Sequence, residues 1–197
     1  KLSREEAQIR AEAKGCSRYD ALLDIFEPDM TSARLDVLFA DLKSWLPSLL
    51  ANVVDKQAQK TLLEPQGPFA IADQRELGLE AMRVLGFDFD GGRLDISAHP
   101  FCGGVPEDVR ITTRYNENDL LSALFGVIHE TGHARYEQNL PRNWVDQPVG
   151  LARSTAIHES QSLFFEMQLG RSEAFLNRLL PAVRQRFGDQ PAFSAEN

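Results

Sequence analysis

The chain has 197 residues, 43% hydrophobic and 25% charged, the proportions of an ordinary globular protein with one full-sized core and room for a small lobe. Its formal charge of −8 is spread along the chain and leaves no basic footprint, which speaks against nucleic acid or an acidic lipid surface as a partner. The two distant cysteines, Cys16 and Cys102, fit free thiols in a reducing cytoplasm better than a long-range disulfide. With no signal-peptide pattern, the expected location is cytoplasmic, and no apolar run is expected to approach the length of a membrane span.

Helical signals dominate. Ser3 followed by Glu6 reads as a capping box opening a short helix that ends near Gly15. Tyr19-Asp20-Ala21-Leu22-Leu23 begins a second apolar stretch, halted by Pro28. From Thr31 to about Gln59, Leu35, Leu38, Phe39, Leu42, Trp45, Leu46, Leu49 and Leu50 recur at three- and four-residue intervals. That spacing predicts one long amphipathic helix or a pair broken near Pro47. Pro65-Gln66-Gly67-Pro68 is a turn, and Ile71 to Leu85 is again helical, stopped by Gly86.

The pattern then changes. Asp90-Gly91-Gly92 signals a turn, Leu94–Ser97 a short strand, and Val109–Tyr115 alternates in strand fashion, with Cys102-Gly103-Gly104 in the loop between them. A small antiparallel sheet is expected. Helices resume from Asp119 to about Leu140, from Ser154 to Leu169 and from Ser172 to Phe187 despite Pro181. The fold class is mainly α, with the small sheet beside the helix that carries the chemistry, and 1–197 reads as a single catalytic-core domain.

That chemistry lies in His129-Glu130-Thr131-Gly132-His133. Four residues along a helix is slightly more than one turn, so both imidazoles leave the same face and can reach one cation at about 2.0–2.1 Å. Glu130 stands about 100° round the axis, beside the ion, where it can act as a general base. A catalytic zinc needs a third protein ligand and an open position. The extended His-x-x-Gly-x-x-His pattern fails, because Tyr136 and Asn139 stand where it requires Gly and His. Glu137 lies on the same face, but residues 129, 133 and 137 span about 12 Å of axis and cannot meet at one ion. Asp146 falls in a Pro-flanked loop, and Glu166 lies two turns beyond Glu159. Glu159, near the start of the following helix, is the expected third ligand. His158 points elsewhere and suits a core or supporting role. No Gly-x-Ser-x-Gly elbow occurs, and Cys102 near His99 is the one conceivable nucleophile. The strand Val109–Tyr115 could pair with a peptide backbone or simply pack in the sheet, and Arg110 and Arg114 could meet a peptide carboxylate or an internal acid.

Taken in order, His99-Pro100-Phe101, Asp108-Val109-Arg110-Ile111-Thr112, the pentad at 129–133 and His158-Glu159-Ser160-Gln161 resemble the successive signatures of the carboxypeptidase Taq family, peptidase family M32. The spacing from His133 to Glu159 also looks like that family. The resemblance implies a helical, zincin-like cleft and a broad-specificity metallocarboxypeptidase acting on peptides with a free C-terminus. It implies zinc, or alternatively cobalt, held by His129, His133 and Glu159, with Glu130 as general base. His99, Pro100, Phe101, Asp108, Arg110 and Thr112 would line the substrate groove, and the full-length protein would be a homodimer. Two later signatures, Ile-Arg-x-x-Ala-Asp and Gly-x-x-Gln-Asp-x-His-Trp, do not occur here. The sequence therefore reads as a central piece of a chain of about 500 residues, more than one core holds, with part of the substrate grip outside it.

Overall fold

A computed structural model describes all residues, 1–197. Packing divides the chain, read from sequence as one domain, into two compact units: Lys1–Thr61 with Arg153–Ala156, and Leu62–Ala152 with Ile157–Asn197.

The first unit is built from α1 (Leu2–Lys14), α2 (Arg18–Phe26) and α3 (Ser32–Gln57). Helix α1 closes at Gly15, whose φ of 66° is the left-handed cap expected of a glycine there. The capping box at Ser3 does not form. Helical geometry already begins at Leu2, so Ser3 lacks the extended backbone a capping residue needs. Ser17 does cap α2, its Oγ accepting the Asp20 N–H at 3.0 Å. The Asp20 carboxylate in turn accepts the Ser32 N–H at 2.7 Å, and Glu27 accepts hydrogen bonds from Ser154 Oγ and the Ala156 N–H.

Pro47 does not break α3, which runs as one helix with no buried residue. Its best 18-residue window has a mean hydropathy of 1.3, so by length and composition it could cross a membrane. That corrects the expectation that no apolar stretch approaches such a length. Asp41, Lys43, Ser44 and Ser48 interrupt the linear run, and the apolar stripe is continuous only on the helical surface.

In the second unit, α5 (Leu120–Gln138) is the central element. Asp119 caps it by accepting the Ser122 N–H at 3.0 Å. One flank, carrying Leu120, Leu124 and Ile128, packs with Leu77 and Ala81 of α4 (Ile71–Val84) and with Phe175, Leu179 and Val183 of α7 (Glu173–Phe187). Another, carrying Val127 and Ala134, packs with Met82 of α4 and with Leu94, Val109 and Ile111 on the sheet. Each fully buried aliphatic side chain contributes about 1.5–3 kcal/mol, so α5 is held firmly on two sides. The face carrying 129 and 133 is left free.

The sheet is mixed, not antiparallel. Its order is β1 (Gly92–Ile96), β3 (Asp108–Thr113), β2 (Phe101–Val105), with β1 parallel and β2 antiparallel to β3. The segment Cys102-Gly103-Gly104, expected as a loop, is β2 itself. Gly104 has φ 111°, and a Cβ there would stand 2.1 Å from the Asp108 carbonyl oxygen, so only glycine lets this strand approach β3. With β2 on one edge of β3, β1 takes the other, and β3 has no free edge for a substrate strand.

Helix α6 (Thr155–Leu163) continues into a π-helical turn, Phe164–Leu169. Residues 158, 159, 162 and 166 meet 137, 133, 132 and 129 in that order, so this segment runs antiparallel to α5. Gly132 makes the crossing close: a Cβ there would lie 2.6 Å from Ser162 Cα and 2.8 Å from the Gln161 carbonyl oxygen. Both are backbone atoms, so Gly132→Ala must push α6 away. Chemical denaturation of that variant should show a loss of about 1–3 kcal/mol.

Candidate metal centre

Antiparallel crossing delivers Glu159 to the free face of α5. His129 Nε2 lies 3.7 Å from Glu159 Oε1 and His133 Nε2 lies 3.4 Å from Oε2. One donor atom from each of the three residues fits within 4.8 Å of the others. Two imidazole nitrogens and a carboxylate suit a divalent cation of the borderline class, and the half-exposed Glu159 side chain leaves room for further ligands. The residues present therefore fit a catalytic metal.

Both imidazoles turn Nε2 inward because their other nitrogens are engaged. His129 Nδ1 lies 3.0 Å from Glu166 Oε2, and Arg171 Nη2 donates to the other oxygen of Glu166 at 3.1 Å. His133 Nδ1 lies 2.7 Å from His158 Nδ1, and His158 Nε2 lies 2.7 Å from Glu137 Oε1. Glu166 and Glu137, set aside as ligands in the sequence, thus stand behind the ligands. Burial, with the neighbouring His158 and His129 adding to it and Glu159 opposing, pushes the His133 imidazole down to about 4. It is neutral at pH 7, with the lone pair a metal requires.

Glu130 is buried and its carboxyl is pushed above the ordinary range, chiefly by burial, with His129 opposing and Glu159 adding. It lies outside the donor triangle and beside it, as its place on the helix requires.

A cavity of about 590 Å³ opens against this centre, lined by His99, Pro100, Leu121, Phe125, His129 and Glu130 among others. Glu166 and Arg171 also line it, and the Arg171 guanidinium sits 4.7 Å over the Phe125 ring. Of the proposed groove residues, His99 and Pro100 lie in this wall. Phe101, Asp108, Arg110 and Thr112 do not. Arg110 is tied to Asp108, its Nε donating to both carboxylate oxygens at 3.0 and 3.1 Å. Thr112 meets Ser97 Oγ and accepts the Phe101 N–H. Leu121, Phe125 and Arg171 were not singled out in the sequence. The two apolar residues could have been, since they lie eight and four positions before His129 on the same helix.

Cys16 and Cys102 are both free. Burial pushes the Cys102 thiol up to about 12, with Glu130 and Glu137 adding to the effect, so it is no nucleophile. At pH 8 such a thiol is ionised in roughly one molecule in 10⁴. Cys102 should therefore remain unlabelled by iodoacetamide in the folded protein and react after denaturation, as read by peptide mass spectrometry.

A His-Glu-x-x-His helix completed by a carboxylate from a following helix is the ligand pattern of catalytic zinc sites in helical metallopeptidases. The family described as carboxypeptidase Taq (M32) metallopeptidase matches residues 1–197. The chain belongs to that family. It is 42% identical over 180 residues to thermostable carboxypeptidase 1 of Thermus thermophilus, covering 91% of this chain and 35% of that protein. It is 46% identical over 158 residues to carboxypeptidase 1 of Bacillus subtilis, covering 80% of this chain and 32% of that one. Metallocarboxypeptidase 1 of Trypanosoma cruzi superposes on the whole chain with a TM-score of 0.92 at 55% identity, over 41% of its own length. The chain thus spans about a third of the length of the curated relatives it matches.

Proposed function

We propose that residues 1–197 are the metal-activating core of a zinc metallocarboxypeptidase, with cobalt as an alternative metal, that removes residues one at a time from the free C-terminus of peptides with broad specificity. The observation that carries this reading is the convergence of His129, His133 and Glu159 donors beside a buried, unligated Glu130 in a chain of the M32 family. A cytoplasmic homodimer is the corresponding whole protein.

A divalent cation at the three ligands would polarise the scissile carbonyl and acidify a neighbouring water. Glu130 accepts that water's proton and returns it to the departing amine, for which a carboxyl held above the usual range is the better-matched acid and base at neutral pH. His99 and Pro100 on one side, and Leu121 and Phe125 on the other, form the walls against which the substrate settles. A peptide backbone can pair only at an outer edge of the sheet. The edge of β2 is favoured, because His99-Pro100, part of the cavity wall, leads into it, and Cys102 on β2 lies near enough to feel the charges of Glu130 and Glu137.

The test is a defined peptide incubated with the zinc-loaded protein and read by mass spectrometry. Sequential loss of single C-terminal residues is expected. Internal cuts, or release of dipeptides, would overturn the exopeptidase assignment.

A further inference from the structure

We infer that Glu137 and His158 form a positioning couple that fixes His133 in the tautomer able to bind metal. This rests on the reading above that His133 ligates through Nε2. Its Nε2 is the nitrogen turned towards Glu159, at 3.4 Å, so a ligating His133 keeps its proton on Nδ1. That nitrogen lies 2.7 Å from His158 Nδ1, and two ring nitrogens at this distance need one donor and one acceptor. His133 Nδ1–H therefore donates to the bare Nδ1 of His158. A neutral His158 with a bare Nδ1 carries its proton on Nε2, and that group points at Glu137 Oε1, 2.7 Å away. A metal-bound His133 in this arrangement places its own proton on Nδ1 and the His158 proton on Nε2.

The two ligating histidines are thus supported differently. His129 leans directly on a carboxylate, Glu166, which Arg171 also holds. His133 is held through an intervening ring, and the carboxylate at the end, Glu137, is the next turn of its own helix. His158 immediately precedes the third ligand, so the couple also ties the Glu159-bearing segment to α5. The Tyr136 ring packs edge-on against His158, with centroids 5.0 Å apart, and limits its rotation. Both members are mostly enclosed, with side-chain exposures of 22% for His158 and 26% for Glu137, so neither is merely a solvated surface group. Outer partners of this kind orient a metal-bound imidazole and raise its basicity.

The experiment uses the 197-residue protein with zinc alone as probe. Nitrogen-15 spectra of histidine-labelled, zinc-loaded protein should show His133 protonated on Nδ1 and His158 neutral and protonated on Nε2. A His158 protonated on Nδ1 overturns the inference. Chelator competition should show zinc affinity lowered roughly 10–100-fold in Glu137→Leu and in His158→Ala. Glu137→Gln keeps a carbonyl acceptor and should restore most of the affinity. Wild-type affinity in Glu137→Leu, or no recovery in Glu137→Gln, would sink the proposal. The wild-type spectrum decides the matter if the variants fold poorly. None of these readouts needs peptide turnover, so failure of the peptidase assignment and failure of the couple are separately visible.

Discussion

Glu159→Ala is expected to weaken zinc binding by about 3–5 kcal/mol, roughly 10²–10⁴-fold, if each of the three ligands carries a comparable share of the ~10–16 kcal/mol typical of structural zinc sites. Two histidines one turn apart on α5 form only a bidentate clip, and the third donor must come from the antiparallel segment. Glu159 meets the two inward nitrogens at 3.7 and 3.4 Å. Its side chain is 47% exposed, so removing it leaves no cavity and no buried unpaired charge, and the fold should be unaffected. Glu166→Ala is the informative companion. It removes the carboxylate behind His129 and should cost only about 10–100-fold. Chelator competition on both variants measures the order, and an order reversed from this one would make Glu166 the ligand.

The second large effect belongs to Glu130. Glu130→Gln preserves shape and hydrogen-bonding capacity but cannot take a proton. Because Glu130 lies outside the donor triangle, its replacement should leave zinc stoichiometry unchanged while turnover falls about 10²–10⁴-fold, the usual worth of a positioned general base. Turnover and metal content must be measured on the same preparation. Loss of both together would place Glu130 among the ligands or in the fold. Retention of both would leave a metal-binding protein whose proton transfer lies elsewhere.

The helical skeleton was legible because its signals are local. Apolar spacing places the helix starts at Asp119 and Ser172 within a few residues, although the capping box read at Ser3 does not form and the cap at Ser17 went unread. The site's inner residues were legible for the same reason, since a four-residue spacing on a helix fixes a shared face before any tertiary structure is known. What stayed hidden depends on long-range pairing. Nothing local says that Cys102-Gly103-Gly104 pairs with β3 and displaces β1 to the far edge, for a Gly-Gly pair is read as a loop until a partner strand explains it. The parts of Glu137, His158 and Glu166 depend on the register of α6 against α5, which Gly132 sets through a backbone contact that sequence spacing does not report. Arg110 could equally have met a substrate or an acid in sequence, and Asp108, two residues earlier on the same strand face, holds it.

Zinc stoichiometry tests the central claim most directly. After loading and exhaustive dialysis, elemental analysis should find about one zinc per chain in the wild-type protein and in Glu130→Gln, and almost none in His133→Ala. A wild-type chain that holds no zinc, or a His133→Ala chain that holds as much as wild type, would contradict the assignment of His129, His133 and Glu159 as one metal centre.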